Sequence, residues 1–151
     1  MIDVGCGAGC QTRFARSIGI EAVAVDGDFV IGKEVNDVVI HDYVTGPLIF
    51  NPSRQFDLGW STEFVEHVEE KFLPNFMHTF RLCDNVLITY VPPERPGGHH
   101  HVNKRRADYW IGAFMENGFV FDWVVTRKIR EKSTMAKVPW MREFGLFFRK
   151  V

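Results

Sequence analysis

Met1-Ile2-Asp3-Val4-Gly5-Cys6-Gly7-Ala8-Gly9 is the stretch on which the fold turns. A short apolar strand runs into glycines at alternate positions. A segment with helical spacing follows at once, from about Gln11 to Ile18, with Phe14, Ala15 and Ile18 sharing a face and Gly19 placed to end it. A strand, a glycine turn and a helix in that order let backbone approach a nucleotide-bearing ligand, because a Cβ would block both the turn and the contact.

Downstream, strand and helix signals alternate. Glu21 to Val25 reads as a second strand, closed by Asp26-Gly27, and a short helical piece spans about Phe29 to Val35. Val38 to Ile40 is a third strand, closed by His41-Asp42, and Phe56 to Trp60 a fourth. Glu63 to Lys71 reads as helical. A new helix then opens near Pro74, with Leu73, Phe76, Met77 and Phe80 as its apolar stripe. Val86 to Val91 is the fifth strand and Lys104 to Asn117 the next helix, stopped by Gly118. Two apolar runs, Phe119 to Val125 and Phe144 to Val151, end the chain, separated by a basic linker. The pattern predicts an α/β fold in one domain, residues 1–151: a mostly parallel sheet with helices on both faces.

Composition narrows the function classes. The 151 residues carry 18 Lys and Arg against 19 Asp and Glu, a formal net charge of −1, which disfavours a protein built mainly to grip nucleic-acid phosphates. No apolar run approaches the ~20 residues of a bilayer span, and Met1 leads straight into a strand rather than a signal peptide. Cys6, Cys10 and Cys83 have no metal-like pairing, so the expected setting is a reducing cytoplasm.

Asp3-Val4-Gly5-Cys6-Gly7-Ala8-Gly9, the acidic ends of strands two and three, and Phe56 through Glu66-His67-Val68 together resemble a class I S-adenosylmethionine-dependent methyltransferase of the small-molecule branch. The resemblance runs from Met1 to Val151. It implies a Rossmann-like, seven-stranded sheet whose last strand is antiparallel, and S-adenosyl-L-methionine as cofactor. By that resemblance Gly5, Cys6, Gly7 and Gly9 receive the cofactor's amino-acid end and Asp3 faces its ammonium group. Asp26, with Gly27, accepts from the ribose hydroxyls; a turn role is the alternative for Asp26. Asp42 faces the adenine amino group with Tyr43 alongside, or serves as a cap. Trp60, Ser61 and Thr62 line the pocket floor.

Two further groups invite chemistry. Glu63, Glu66, His67 and Glu70 lie at helical spacing and read either as a polar helix face or as a catalytic one. The Gly97-Gly98-His99-His100-His101-Val102-Asn103 loop should overhang the methyl group, where His100 or His101 could act as general base. The alternative is an exposed loop leading to a helix capped by Asn103. No metal is expected, because adjacent histidines do not converge on one ion without a special turn and no carboxylate has ligand spacing.

The expected activity is methyl transfer to an O or N nucleophile of a small molecule or glycan. A cofactor-binding module acting through a partner, and an NAD-linked oxidoreductase, are the competing readings. The second is disfavoured because the spacing is Gly-x-Gly-x-Gly rather than Gly-x-Gly-x-x-Gly. Arg127, Lys128, Arg130, Lys132 and Lys137 beside Trp140 keep nucleic acid open as an acceptor. Family members carry helices before the first strand. None precede Met1 here, which suggests a minimal open form, a homodimer that shares a lid, or a longer parent chain.

Overall fold

The computed structural model describes residues 1–31, 37–51, 53–134 and 139–151. Seven strands among them form one sheet: β1 (Ile2–Val4), β2 (Val23–Asp26), β3 (Val38–Ile40), β4 (Phe56–Ser61), β5 (Cys83–Ile88), β6 (Phe119–Phe121) and β7 (Leu146–Lys150). Their order is β3-β2-β1-β4-β5-β7-β6. Pairs from β3 across to β5 are parallel, and β7 runs antiparallel between β5 and β6. This is the expected sheet with its antiparallel last strand. The order reverses between β1 and β4, and the crevice at such a switch point is where open α/β sheets bind ligands.

Central parallel strands are covered on both faces, and the sequence shows it: all three residues of β1 are buried, as are Val86, Leu87 and Ile88 of β5. The helices packed around the sheet are α1 (Cys10–Ser17), α2 (Leu73–Phe80), α3 (Ala107–Glu116), α4 (Trp123–Lys132) and α5 (Trp140–Phe144). Phe76, Met77 and Phe80 of α2 are fully buried, so the stripe read from the sequence faces the core. Trp110 and Phe114 of α3 join them, and the Phe114 ring stacks on Phe148 of β7 at 4.3 Å. No described helix is long and apolar enough to cross a membrane.

Three local expectations are corrected. In α1 the buried residues are Thr12 and Ala15, whereas Phe14 is 66% exposed, because the Thr12 hydroxyl donates to buried Asp3 and turns that face inward. Glu63 to Lys71 is not a helix but two 3₁₀ turns, Val65–His67 and Glu70–Phe72. Glu63 has φ 54° and its N–H donates to Thr89 Oγ1 at 2.8 Å, so tertiary bonds replace the helical ladder there. The basic linker is largely helix: β6 stops at Phe121, and Asp122 caps α4 by accepting from the Val125 N–H at 2.9 Å. The helical piece read over Phe29 to Val35 lies mostly outside the described residues, as does Lys137.

Helix α4 is pinned to the sheet by Thr126, whose buried hydroxyl accepts from the Phe147 N–H at 2.9 Å. Thr126→Val keeps the shape and removes the acceptor, so it should cost about 1–3 kcal/mol. A lower urea midpoint with an unchanged slope reads that loss, and Thr126→Ser should recover most of it.

Candidate functional site

The carboxyl ends of β1, β2 and β4 meet at the glycine turn. Gly5, Gly7 and Gly9 all have positive φ, at 73°, 50° and 71°. The Gly5 and Cys6 N–H groups both donate to the Val25 carbonyl, at 2.9 and 3.0 Å, which ties the turn to β2. A Cβ on Gly5 would lie 2.6 Å from the Phe64 ring, while one on Gly7 would have nothing within 4 Å and would project into open space. Gly5 is therefore required by packing, and Gly7 by whatever approaches the turn.

Asp26 closes β2 and turns back over the loop. Its Oδ2 accepts from the Gly7 N–H at 2.8 Å and its Oδ1 from the Asp28 N–H at 2.9 Å. Each carboxylate oxygen retains a further acceptor site. Asp3 lies below, 2% exposed, with Oδ2 accepting from Thr12 Oγ1 at 2.6 Å. Burial holds the Asp3 carboxyl above its ordinary value despite that bond. An acid raised in the folded state adds stability below its unfolded pKa and loses it as pH rises. Asp3→Asn should therefore melt higher than wild type at neutral pH. The two should converge as pH falls through the ordinary carboxylate range, which paired thermal melts across pH would show.

Two adjoining clefts open from this turn and share Gly5, Gly7 and Glu63. One, of about 610 Å³, is lined by Asp26, Gly27, Asp42, Tyr43, His67 and His100 among others. The other, of about 470 Å³, is lined by Cys6, Trp60, Thr62, Thr89, Trp140 and Met141 among others. Helix α5, which contributes Trp140 and Met141, thus walls the second cleft, a role the sequence reading did not assign. Arg95 stacks over Trp140 at 4.2 Å and pairs with Glu143 at 2.9 Å, bracing that wall.

The sequence candidates divide accordingly. Gly5, Gly7, Asp26, Gly27, Asp42, Tyr43 and His100 meet in the first cleft; Cys6, Trp60 and Thr62 reach the second. Asp3, Gly9, Ser61 and His101 line neither. Ser61 is buried and donates to the Val4 carbonyl at 2.8 Å, tying β4 to β1. Asp42 caps a 3₁₀ turn through the Val44 N–H at 2.9 Å and also faces the cleft, so both of its expected roles are compatible. The Tyr43 hydroxyl points inward and donates to Thr79 at 3.0 Å. Burial pushes the Cys6 thiol up to about 12, with Asp26 and Asp3 adding to it, which favours the protonated thiol at neutral pH. Trp60 Nε1 is buried without a partner among the described residues.

Beside the first cleft lies a group that no spacing rule links. His101 turns away from the cleft and packs edge-to-face on His67, ring centroids 4.7 Å apart. Glu66 is fully buried, both carboxylate oxygens lacking partners among the described residues, and its backbone carbonyl accepts from the Asn103 N–H at 3.0 Å. Burial first, and then the Glu63 charge, push the Glu66 carboxyl up to about 8. Burial and the neighbouring imidazoles hold His67 below its ordinary value, and burial lowers His101 too. No carboxylate has ligand spacing to the histidines along the chain, yet in space the 3₁₀ turn buries Glu66 beside His67 and His101.

No known protein-family profile matches the chain. Solved structures share its fold at low identity. Magnesium protoporphyrin IX methyltransferase (ChlM) from Synechocystis PCC 6803, determined with bound SAH, superposes with TM-score 0.68 at 14% identity, covering 99% of this chain and 73% of that one. An S-adenosylmethionine-dependent methyltransferase from Mesorhizobium loti gives 0.66 at 16%, covering 99% and 89%. A protein described as a pericyclic reaction enzyme gives 0.61 at 11%, covering 99% and 42%. The chain has the class I methyltransferase fold.

Proposed function

We propose that this chain binds S-adenosylmethionine across the two adjoining clefts and transfers its methyl group to an O or N nucleophile of a small molecule or glycan. The observation that supports it best is the glycine turn. Gly7 leaves the space a Cβ would fill, and Asp26 is held beside it with acceptor capacity to spare. Asp26 and Gly27 would hold the ribose, Asp42 the adenine edge, and Cys6, Trp60 and Thr62 the amino-acid end. Asp3, buried beneath the turn, would supply negative charge under the cofactor's ammonium group.

The bound cofactor would supply an activated methyl group on a sulfonium. The chain's own share is alignment of the acceptor, worth up to roughly 7–11 kcal/mol where orientation is tight. His100, on the wall of the first cleft, would take the acceptor's proton, a contribution of about 10²–10⁴-fold.

Calorimetry with S-adenosylmethionine and S-adenosylhomocysteine tests the reading, and absence of saturable binding to either would overturn it. A second reading is binding without methyl transfer, motivated by the same fold in the pericyclic reaction enzyme. Release of S-adenosylhomocysteine during incubation with hydroxylated metabolites and sugars separates the two.

A further inference from the structure

We propose that Glu66, His67 and His101 form a binding site for a divalent transition-metal ion of the zinc type, set in the wall of the first cleft. One carboxylate oxygen and one nitrogen from each imidazole all lie within 4.8 Å of one another. Ligands bonded at ~2.0–2.2 Å to a four-coordinate ion sit roughly 3.4 Å apart, so small side-chain rotations close the set. Two imidazoles and a carboxylate suit zinc and its first-row neighbours better than calcium or magnesium, which prefer oxygen alone.

Glu66 is the observation that points most directly to an occupant. It is 0% exposed, and neither carboxylate oxygen has a hydrogen-bond partner among the described residues. A buried carboxylate without donors is costly, and breaking even a paired one costs several kcal/mol for that reason. Arg95 and the cations that follow the histidine loop have partners elsewhere among the described residues, although Arg105 Nε is itself buried without one. Arg95 pairs with Glu143, Arg105 with Glu70 and Arg106 with Glu94, while Lys104 donates to the carbonyls of Arg95 and Gly97. A metal ion would displace the carboxyl proton and supply the partner that both oxygens lack.

The histidines are also set for ligation. His101 Nδ1 is buried without a partner among the described residues, a second orphan in the cluster. Its ring occupies space that only a glycine leaves free, since a Cβ on Gly98 would lie 2.0 Å from that nitrogen. His67 lines the first cleft. Three protein ligands leave a zinc-type ion at least one open position, and here it would face the cleft.

The test uses the full chain, stripped with a chelator and titrated with Zn(II), with no S-adenosylmethionine present. Binding therefore stands or falls separately from the methyl-donor reading, which calorimetry with S-adenosylhomocysteine in chelator addresses. The expected result is one equivalent bound per chain and a higher melting temperature on saturation. Glu66→Gln keeps shape and removes charge, and should weaken binding by more than about 100-fold, beyond the usual loss for a supporting residue. His101→Ala should do the same, while His99→Ala leaves affinity unchanged. Substituting Co(II) should give a visible absorption band in wild type that is missing in Glu66→Gln. No stoichiometric binding, or binding that survives Glu66→Gln but is lost in His99→Ala, would overturn the site.

Discussion

Asp26→Ala should lower the affinity for S-adenosylhomocysteine by about 100-fold or more. Hydrogen bonds to a charged group are worth about 1.5–3 kcal/mol each, and in the proposed complex the carboxylate would accept two from the ribose. Two such losses exceed the ~2.8 kcal/mol that corresponds to 100-fold. The variant also frees the Gly7 and Asp28 N–H groups that Asp26 now holds at 2.8 and 2.9 Å, so the turn loses its internal clamp. Asp26→Asn keeps one acceptor and should fall between the two. Calorimetry beside a circular-dichroism check of folding reads the effect. Wild-type affinity in a folded Asp26→Ala chain would remove Asp26 from the site.

The glycine turn gives the second large effect, and here stability and binding should part company. Gly5→Ala places an L residue at φ 73°, which costs about 1–2 kcal/mol before any contact is counted. Its Cβ would also fall 2.6–2.8 Å from three atoms of Phe64. Phe64 has no easy retreat, because its ring rests against Tyr43 and Phe76 at 5.8 and 5.6 Å. The expected total is about 3 kcal/mol or more, a severe loss for a domain of typical stability. Gly7→Ala should cost only the backbone term, since nothing lies within 4 Å of its Cβ, yet it fills the cleft. Thermal melts should therefore rank Gly5→Ala as the less stable variant. Cofactor affinity, measured on the folded Gly7→Ala protein, should be lost with most of the stability retained. Equal melting temperatures for the two would contradict the packing argument.

How much of this was legible in the sequence depends on how far each residue's partners lie along the chain. The strands of the sheet could be read because each is a short apolar run with turn residues beside it. The α2 stripe could be read because helical spacing puts Phe76, Met77 and Phe80 on one face. Helix α1 shows the limit of that rule. Its periodicity favours Phe14, Ala15 and Ile18, but the buried face is shifted to Thr12 and Ala15, where Thr12 donates to Asp3. The segment after β4 fails for a related reason. Glu63 to His67 has good helical spacing, but Glu63 takes a positive φ and Asn103 takes the Glu66 carbonyl that a helix would have used. The basic linker misleads in the opposite direction, since its charges lie on α4 while Asp122 and Thr126 fix its place.

The candidate site divides along the same line. The sequence by itself determined the strands, the glycine turn and the acidic residues that close β2 and β3, because each depends on neighbours a few positions away. Only the tertiary structure decided which of those residues reach a cleft. It gave Ser61 to the Val4 carbonyl, Tyr43 to Thr79 and Trp140 to the cleft wall. It also decided that Glu66 is buried against two histidines rather than solvated on a helix. The reason is physical: local periodicity sets which way a side chain points, but its partners are set by segments folded against it from far along the chain.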